Sequence, residues 1–123
     1  MSQKPITIYY NPDCSKCRGS LGLIEQSESQ FKVVEYLKTP PTEQELDGLL
    51  HQLDMEPAQI VRKGEDRYEE LKLDQNPPAT RQAWIRILCE NPILIERPIV
   101  TDGTRAVLGR PPENVLKLMK GSE

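Results

Sequence analysis

The chain has 123 residues, a size that fits a single domain around one core. Its 37% hydrophobic and 28% charged residues are those of an ordinary globular protein and exclude a disordered chain. The formal net charge of −3 argues against direct nucleic-acid binding, which needs clustered Lys and Arg against phosphate. The basic residues are instead mixed with acids, as in Arg62-Lys63-Gly64-Glu65-Asp66-Arg67.

Met1-Ser2-Gln3-Lys4-Pro5 leads into a short apolar stretch, and no apolar run has the length and flanks of a signal peptide or a membrane span. The expectation is a cytoplasmic protein with no membrane partner. Three cysteines, an odd number, do not suit a secreted disulfide scaffold. There is no repeat, low-complexity tract or linker, so residues 1–123 read as one domain.

In chain order, Ile6-Thr7-Ile8-Tyr9-Tyr10 is a β-rich strand stopped by Asn11-Pro12-Asp13. A helix is expected from Lys16 to Gln26, burying Cys17, Ser20, Leu21 and Ile24, although Gly19 and Gly22 weaken it. Phe31 to Tyr36 reads as a second strand. Thr42 and Glu45 have capping-box spacing, and Leu46, Leu49, Leu50 and Leu53 follow at helical intervals. Short helices are expected around Pro57–Arg62 and Asp66–Leu71. Thr80 can cap a further helix with Trp84, Ile87 and Leu88 on its inner side.

Ile99-Val100-Thr101, the Asp102-Gly103 turn signal and Arg105 to Leu108 read as a hairpin. Pro111-Pro112 suits the first turn of a last helix with Val115, Leu118 and Met119 inside. The order is β-α-β, several helices, then β-β-α. That is the outline of an α/β, thioredoxin-like fold with a mixed sheet and a helical insertion.

The chemistry belongs to Asn11-Pro12-Asp13-Cys14-Ser15-Lys16-Cys17-Arg18, between the first strand and the first helix. A cysteine at a helix N-terminus meets converging N–H groups and the positive end of the macrodipole. That field favours the thiolate, which is the nucleophile, and the same N–H groups can cradle a tetrahedral oxyanion. A buried, inert cysteine is the bland alternative; the CxxC spacing and the strand–loop–helix setting oppose it. A zinc site is not expected, because only Cys89, His51 and carboxylates remain as ligands and no second close Cys/His pair exists. Cys89, beside Ile87 and Leu88, reads as structural, His51 as a surface residue, and Trp84 as core.

Tyr9-Tyr10-Asn11-Pro12-Asp13-Cys14, Tyr36-Leu37-Lys38-Thr39-Pro40-Pro41-Thr42, Glu96-Arg97-Pro98-Ile99-Val100 and Gly109-Arg110-Pro111-Pro112-Glu113 occur in that order. Together they resemble successive signatures of the ArsC-type, glutaredoxin-linked arsenate reductases, over nearly the whole chain. The resemblance implies a thioredoxin fold with a helical insertion. It also implies that Cys14 attacks arsenate, losing water to form a thiol–arsenate ester. Glutathione, as co-substrate, would then add, and glutaredoxin would reduce the adduct so that arsenite leaves. No bound cofactor or metal is implied. Arg62, Arg97 and Arg110 fall on the family's oxyanion-binding arginines, whose guanidinium forks match such anions. Pro98 falls on the cis proline opposite the cysteine.

Two positions depart from the family. Tyr10 stands where many members have a histidine that helps the cysteine ionise. Cys17 stands where serine is common, at the spacing of the thioredoxin pair, and is the candidate resolving cysteine for a Cys14–Cys17 disulfide. Such a pair could also serve a thiol–disulfide oxidoreductase or an Spx-like redox-sensing regulator that binds RNA polymerase. The Arg97 and Arg110 motifs favour the enzyme over the regulator.

Overall fold

The computed structural model describes residues 5–119, so the reading of the first four residues lies outside them. The chain divides into two compact units. The first runs to Thr39 and resumes at Arg97; the second is Pro40–Glu96.

The first unit is a four-stranded mixed sheet with helices. Its strands are β1 (Ile6–Tyr10), β2 (Phe31–Glu35), β3 (Ile99–Thr101) and β4 (Ala106–Leu108), in the order β2-β1-β3-β4. β1 pairs parallel with β2, Ile8 opposite Val33. β1 pairs antiparallel with β3, Ile8 opposite Val100, and β3 with β4, Val100 opposite Val107. Helix α1 (Ser15–Gln26) makes the parallel crossover between β1 and β2, a connection that a hairpin cannot supply.

Side chains alternate along a strand, so Ile6, Ile8 and Tyr10 share one face of β1. Ile6 and Ile8 are buried there with Ile24, Val100, Val115, Leu118 and Met119, and Tyr10 packs against this cluster half-buried. On α1 Cys17, Ser20 and Ile24 are buried as the periodicity predicts, whereas Leu21, expected with them, is half-buried against the core. Gly19 has a packing reason: a Cβ there would lie 3.1 Å from Pro112 Cγ, whereas Gly22 faces open space. The C-terminal segment is a 3₁₀ turn (Pro112–Val115) running into α5 (Leu116–Met119).

The hairpin loop is Asp102 to Arg105. Asp102 Oδ1 accepts from the N–H groups of Thr104 and Arg105, both at 2.8 Å, and Gly103 takes a φ of 94°, which suits glycine.

In the second unit, α2 (Glu43–Leu53) starts at the expected capping box: Thr42 Oγ1 accepts from Glu45 N–H and Glu45 Oε1 from Thr42 N–H. Leu46, Leu49, Leu50 and Leu53 are its buried face. Pro57–Gln59 is a 3₁₀ turn, shorter than the helix expected there, and α3 covers Asp66–Glu70. Helix α4 (Arg81–Glu90) is capped by Thr80, whose hydroxyl accepts from Ala83 N–H at 3.1 Å. The inner face of α4 is a correction to the sequence reading. Ile85 and Leu88 are buried, while Trp84 and Ile87 are only half-buried. The helix is rotated so that Ile85 fills the interior and the larger indole lies at its margin.

Candidate active site

Asn11 ends β1 and organises the loop that follows. Its side-chain Oδ1 accepts from Asp13 N–H at 3.0 Å, and its carbonyl accepts from Cys14 N–H at 3.0 Å. Its own N–H donates to Cys17 Sγ at 3.5 Å. Pro12 limits the backbone between them, and its carbonyl accepts from Arg18 Nη1 at 2.8 Å. The chain thus enters α1 through a fixed turn.

Cys14 is the N-cap residue of α1, with extended backbone at φ −105° and ψ 122°. Its carbonyl already accepts from Arg18 N–H at 3.0 Å, closing the first turn. Its sulfur makes no capping hydrogen bond. It nevertheless lies in the field of the Cys17 and Lys16 N–H groups, where the helix end is positive.

Burial alone would raise the Cys14 pKa. The Cys17 N–H, the Arg97 guanidinium, the Cys17 thiol and the Lys16 N–H outweigh it and bring the thiol down to about 7. Cys17, fully buried, goes the other way. Burial first, and then the hydrogen bond and charge of Cys14, push it up to about 12, although the Asn11 N–H opposes this. One residue of the CxxC pair is therefore half-ionised at neutral pH and the other is a thiol. Both are free cysteines.

Arg97 lies two residues before β3, separated from it by Pro98, and interacts with the Cys14 sulfur. Burial works against its charge, but Cys14, the buried Tyr36 and Cys17 favour it and raise its pKa. Arg110 Nη1 donates to the Arg97 carbonyl at 3.0 Å. The peptide bonds Arg97–Pro98 and Arg110–Pro111 are both cis; the first was expected and the second was not. Gly109 packs closely here. Its N–H donates to the Pro98 carbonyl at 2.9 Å, and a Cβ would lie 2.7 Å from Pro98 Cγ and 2.2 Å from Ser20 Oγ.

Cys14, Cys17, Arg97 and Arg110 thus all belong to the first unit. Arg62 belongs to the second, where its guanidinium pairs with Glu65 and, at 3.5 Å, with Glu96. Its backbone N–H donates to the Leu94 carbonyl at 2.7 Å, beside a bridge between Val61 and Ile95. Cys89 is half-buried on α4, and burial, with Glu43, Glu45 and Glu90, pushes its thiol up to about 11. His51 is exposed on α2, 3.6 Å from Asp47. Among the described residues no group of three His, Cys, Asp or Glu side chains could hold a metal ion. No helix among them is long and apolar enough to cross a membrane.

Sequence reasoning assigned no role to Asn11, Tyr36 or Gly109, although all three stand in the quoted motifs. The signal was present for Asn11, whose Asn-Pro-Asp context is that of a side chain bonding its own backbone two residues on. Tyr36 and Gly109 act through contacts with residues distant in the chain, which no local pattern records.

A cysteine at the N-cap of the first helix, a βαβ and ββα sheet and a helical insertion define a thioredoxin-like protein. The ArsC family pattern matches residues 9–118, and the chain belongs to the ArsC family. The arsenate reductase of Neisseria meningitidis serogroup A is 41% identical over 111 residues, covering 89% of this chain and 94% of that one. Escherichia coli YfgD, whose name carries no activity, is 41% identical over 117 residues, covering 94% and 98%. The solved structure of an arsenate reductase from Vibrio cholerae superposes with a TM-score of 0.88 at 39% identity, covering 95% of this chain and 99% of that one.

Proposed function

We propose that this protein is an arsenate reductase in which the Cys14 thiolate is the nucleophile. The observation that carries the reading is Cys14 itself: a thiol at a helix N-terminus, beside Arg97, with its pKa brought to about 7. The thiolate attacks arsenic, water leaves, and a thiol–arsenate adduct results. Arg97 and Arg110 bind the oxyanion, because guanidinium donors stay charged and fit tetrahedral anions. Glutathione then adds to the adduct, and glutaredoxin returns Cys14 to the thiol as arsenite departs. Such coupling calls for a reducing compartment such as the cytoplasm.

Tyr10 packs half-buried against the core at the position where many members of the family have a histidine. Ionisation of Cys14 therefore falls to the helix and Arg97. The test is arsenate-dependent NADPH oxidation with glutathione, glutaredoxin and glutathione reductase. Turnover in wild type and none in Cys14→Ser supports the reading. No turnover in wild type, with Cys14 still titrating near 7, rejects it.

One observation favours a second reading. Cys17 touches Cys14 from inside the helix, an arrangement that also suits thiol–disulfide exchange without arsenic. Reduction of a small disulfide substrate, lost in both Cys14→Ser and Cys17→Ser, would support that alternative.

A further inference from the structure

Cys17 has no part in the reaction just described, yet its placement is specific. It lies three residues beyond Cys14, and residues so spaced are neighbours on a helix surface. Its thiol interacts with the Cys14 sulfur, and its own sulfur accepts the Asn11 N–H at 3.5 Å. Cys17 is 0% exposed, so a dissolved thiol or disulfide cannot reach it; chemistry at its sulfur runs through Cys14, which keeps 6% exposure.

The electrostatics change as the reaction proceeds. While Cys14 is a thiolate, its charge and hydrogen bond oppose ionisation of Cys17. Once the Cys14 sulfur carries arsenic it is itself no longer an anion, and the opposition from the sulfur's own charge ends. The Asn11 N–H remains in place to receive charge developing on Cys17.

We infer that Cys17 is an internal resolving thiol that attacks the Cys14 sulfur of the thiol–arsenate adduct, forming a Cys14–Cys17 disulfide and releasing arsenite without glutathione. The inference rests on Cys14 being the arsenate nucleophile. The balance is closed within the chain. The S–S bond forms as the S–As bond breaks, and the electron pair of the latter stays on arsenic. Arsenic(V) becomes arsenic(III) while two thiol sulfurs become one disulfide. The Cys17 proton ends on an arsenite oxygen. Glutathione then competes with Cys17 for the adduct rather than being required by it, and an external thiol reductant restores the pair from the Cys14 side.

The experiment is a single turnover. Reduced protein is freed of all small thiols, given arsenate and quenched in acid; arsenite is quantified and alkylation-protected cysteines are mapped. Wild type is expected to release one arsenite per chain and to protect Cys14 and Cys17 together. Cys17→Ala and Cys17→Ser are expected to release none until glutathione is added, with the alkylation rate of Cys14 confirming that each variant is folded. Arsenite from wild type only when glutathione is present overturns the inference and leaves the arsenate reading intact. No arsenite from wild type with or without glutathione overturns both.

Discussion

Arg110 holds Arg97 by its backbone: Arg110 Nη1 donates to the Arg97 carbonyl at 3.0 Å, while the Arg97 side chain interacts with the Cys14 sulfur. The two arginines therefore separate into different measurements. Removing Arg97 takes away a partner of the thiolate, so in Arg97→Ala the Cys14 pKa should climb from about 7 toward the ordinary thiol value of ~8.5. Arg110→Ala should move that pKa less, because Arg110 is not among the groups that set it. Both variants should lose ~10²–10³-fold in arsenate kcat/KM, the usual scale for removing an oxyanion donor. Thiolate absorbance against pH, with steady-state kinetics, checks both halves. Equal pKa values in the two variants would remove the distinction.

The same titration predicts how reactivity and stability follow pH. Alkylation of Cys14 should accelerate as pH rises and level off above about 7, while Cys89, with its thiol near 11, reacts slowly throughout. The folded-state pKa of Cys14 lies below its unfolded value, so the folded protein holds fewer protons between the two. The stability that this thiolate contributes is fully present above ~8.5 and is lost as pH falls through about 7. Denaturant unfolding of wild type and Cys14→Ala should therefore diverge from pH 7 to 8.5 in favour of wild type. Parallel curves would mean that Cys14 is not ionised in the fold.

Much of this architecture is legible in the sequence where local physics decides it. β1 is bounded by Asn11-Pro12, and α2 carries both its capping box and four leucines at helical spacing; each matches the expected element closely. The inner face of α4 is different. Leu88 lies on the arc with Trp84 and Ile87 and equally on the arc with Ile85, and only packing in the second unit selects the latter. At the site, Cys14 and its helix end follow from local pattern, whereas the pairing of Cys14 with Arg97 is a tertiary contact. It could be anticipated only through the family's motifs. The close fit of Gly109 against Pro98 and Ser20 leaves no local trace at all.

The second unit offers a test of its helix caps. Thr42 has a reciprocal bond pair with Glu45, at 3.0 and 2.9 Å, whereas Thr80 has a single bond to Ala83 N–H. Thr42→Ala and Thr80→Ala should each cost about 1 kcal/mol. Glu45→Gln should cost less than Thr42→Ala, because the amide oxygen can still accept the Thr42 N–H. Chemical denaturation measures all three, and an unchanged midpoint for Thr42→Ala would show that the box is not stabilising.

Two glycines of the first unit should respond to alanine with opposite signs. Gly22 is within α1 and a Cβ there meets nothing within 4 Å. Replacing it removes the entropic cost of glycine in a helix, so Gly22→Ala should stabilise by ~0.5–1 kcal/mol. At Gly109 the new Cβ would fall 2.2 Å from Ser20 Oγ and 2.7 Å from Pro98 Cγ, both far inside contact distance. Overpacking of this kind costs ~1–3 kcal/mol. Adding Ser20→Gly to Gly109→Ala removes the nearer clash but leaves Pro98, so the double variant should regain less than the full loss. Since Pro98 follows Arg97 directly, residual displacement should also appear as a raised Cys14 pKa. Thermal melts and the thiol titration, run on the same four proteins, decide it: a Gly109→Ala variant as stable as wild type, with its Cys14 pKa unmoved, would mean that the glycine is not what seats Pro98 beside the site.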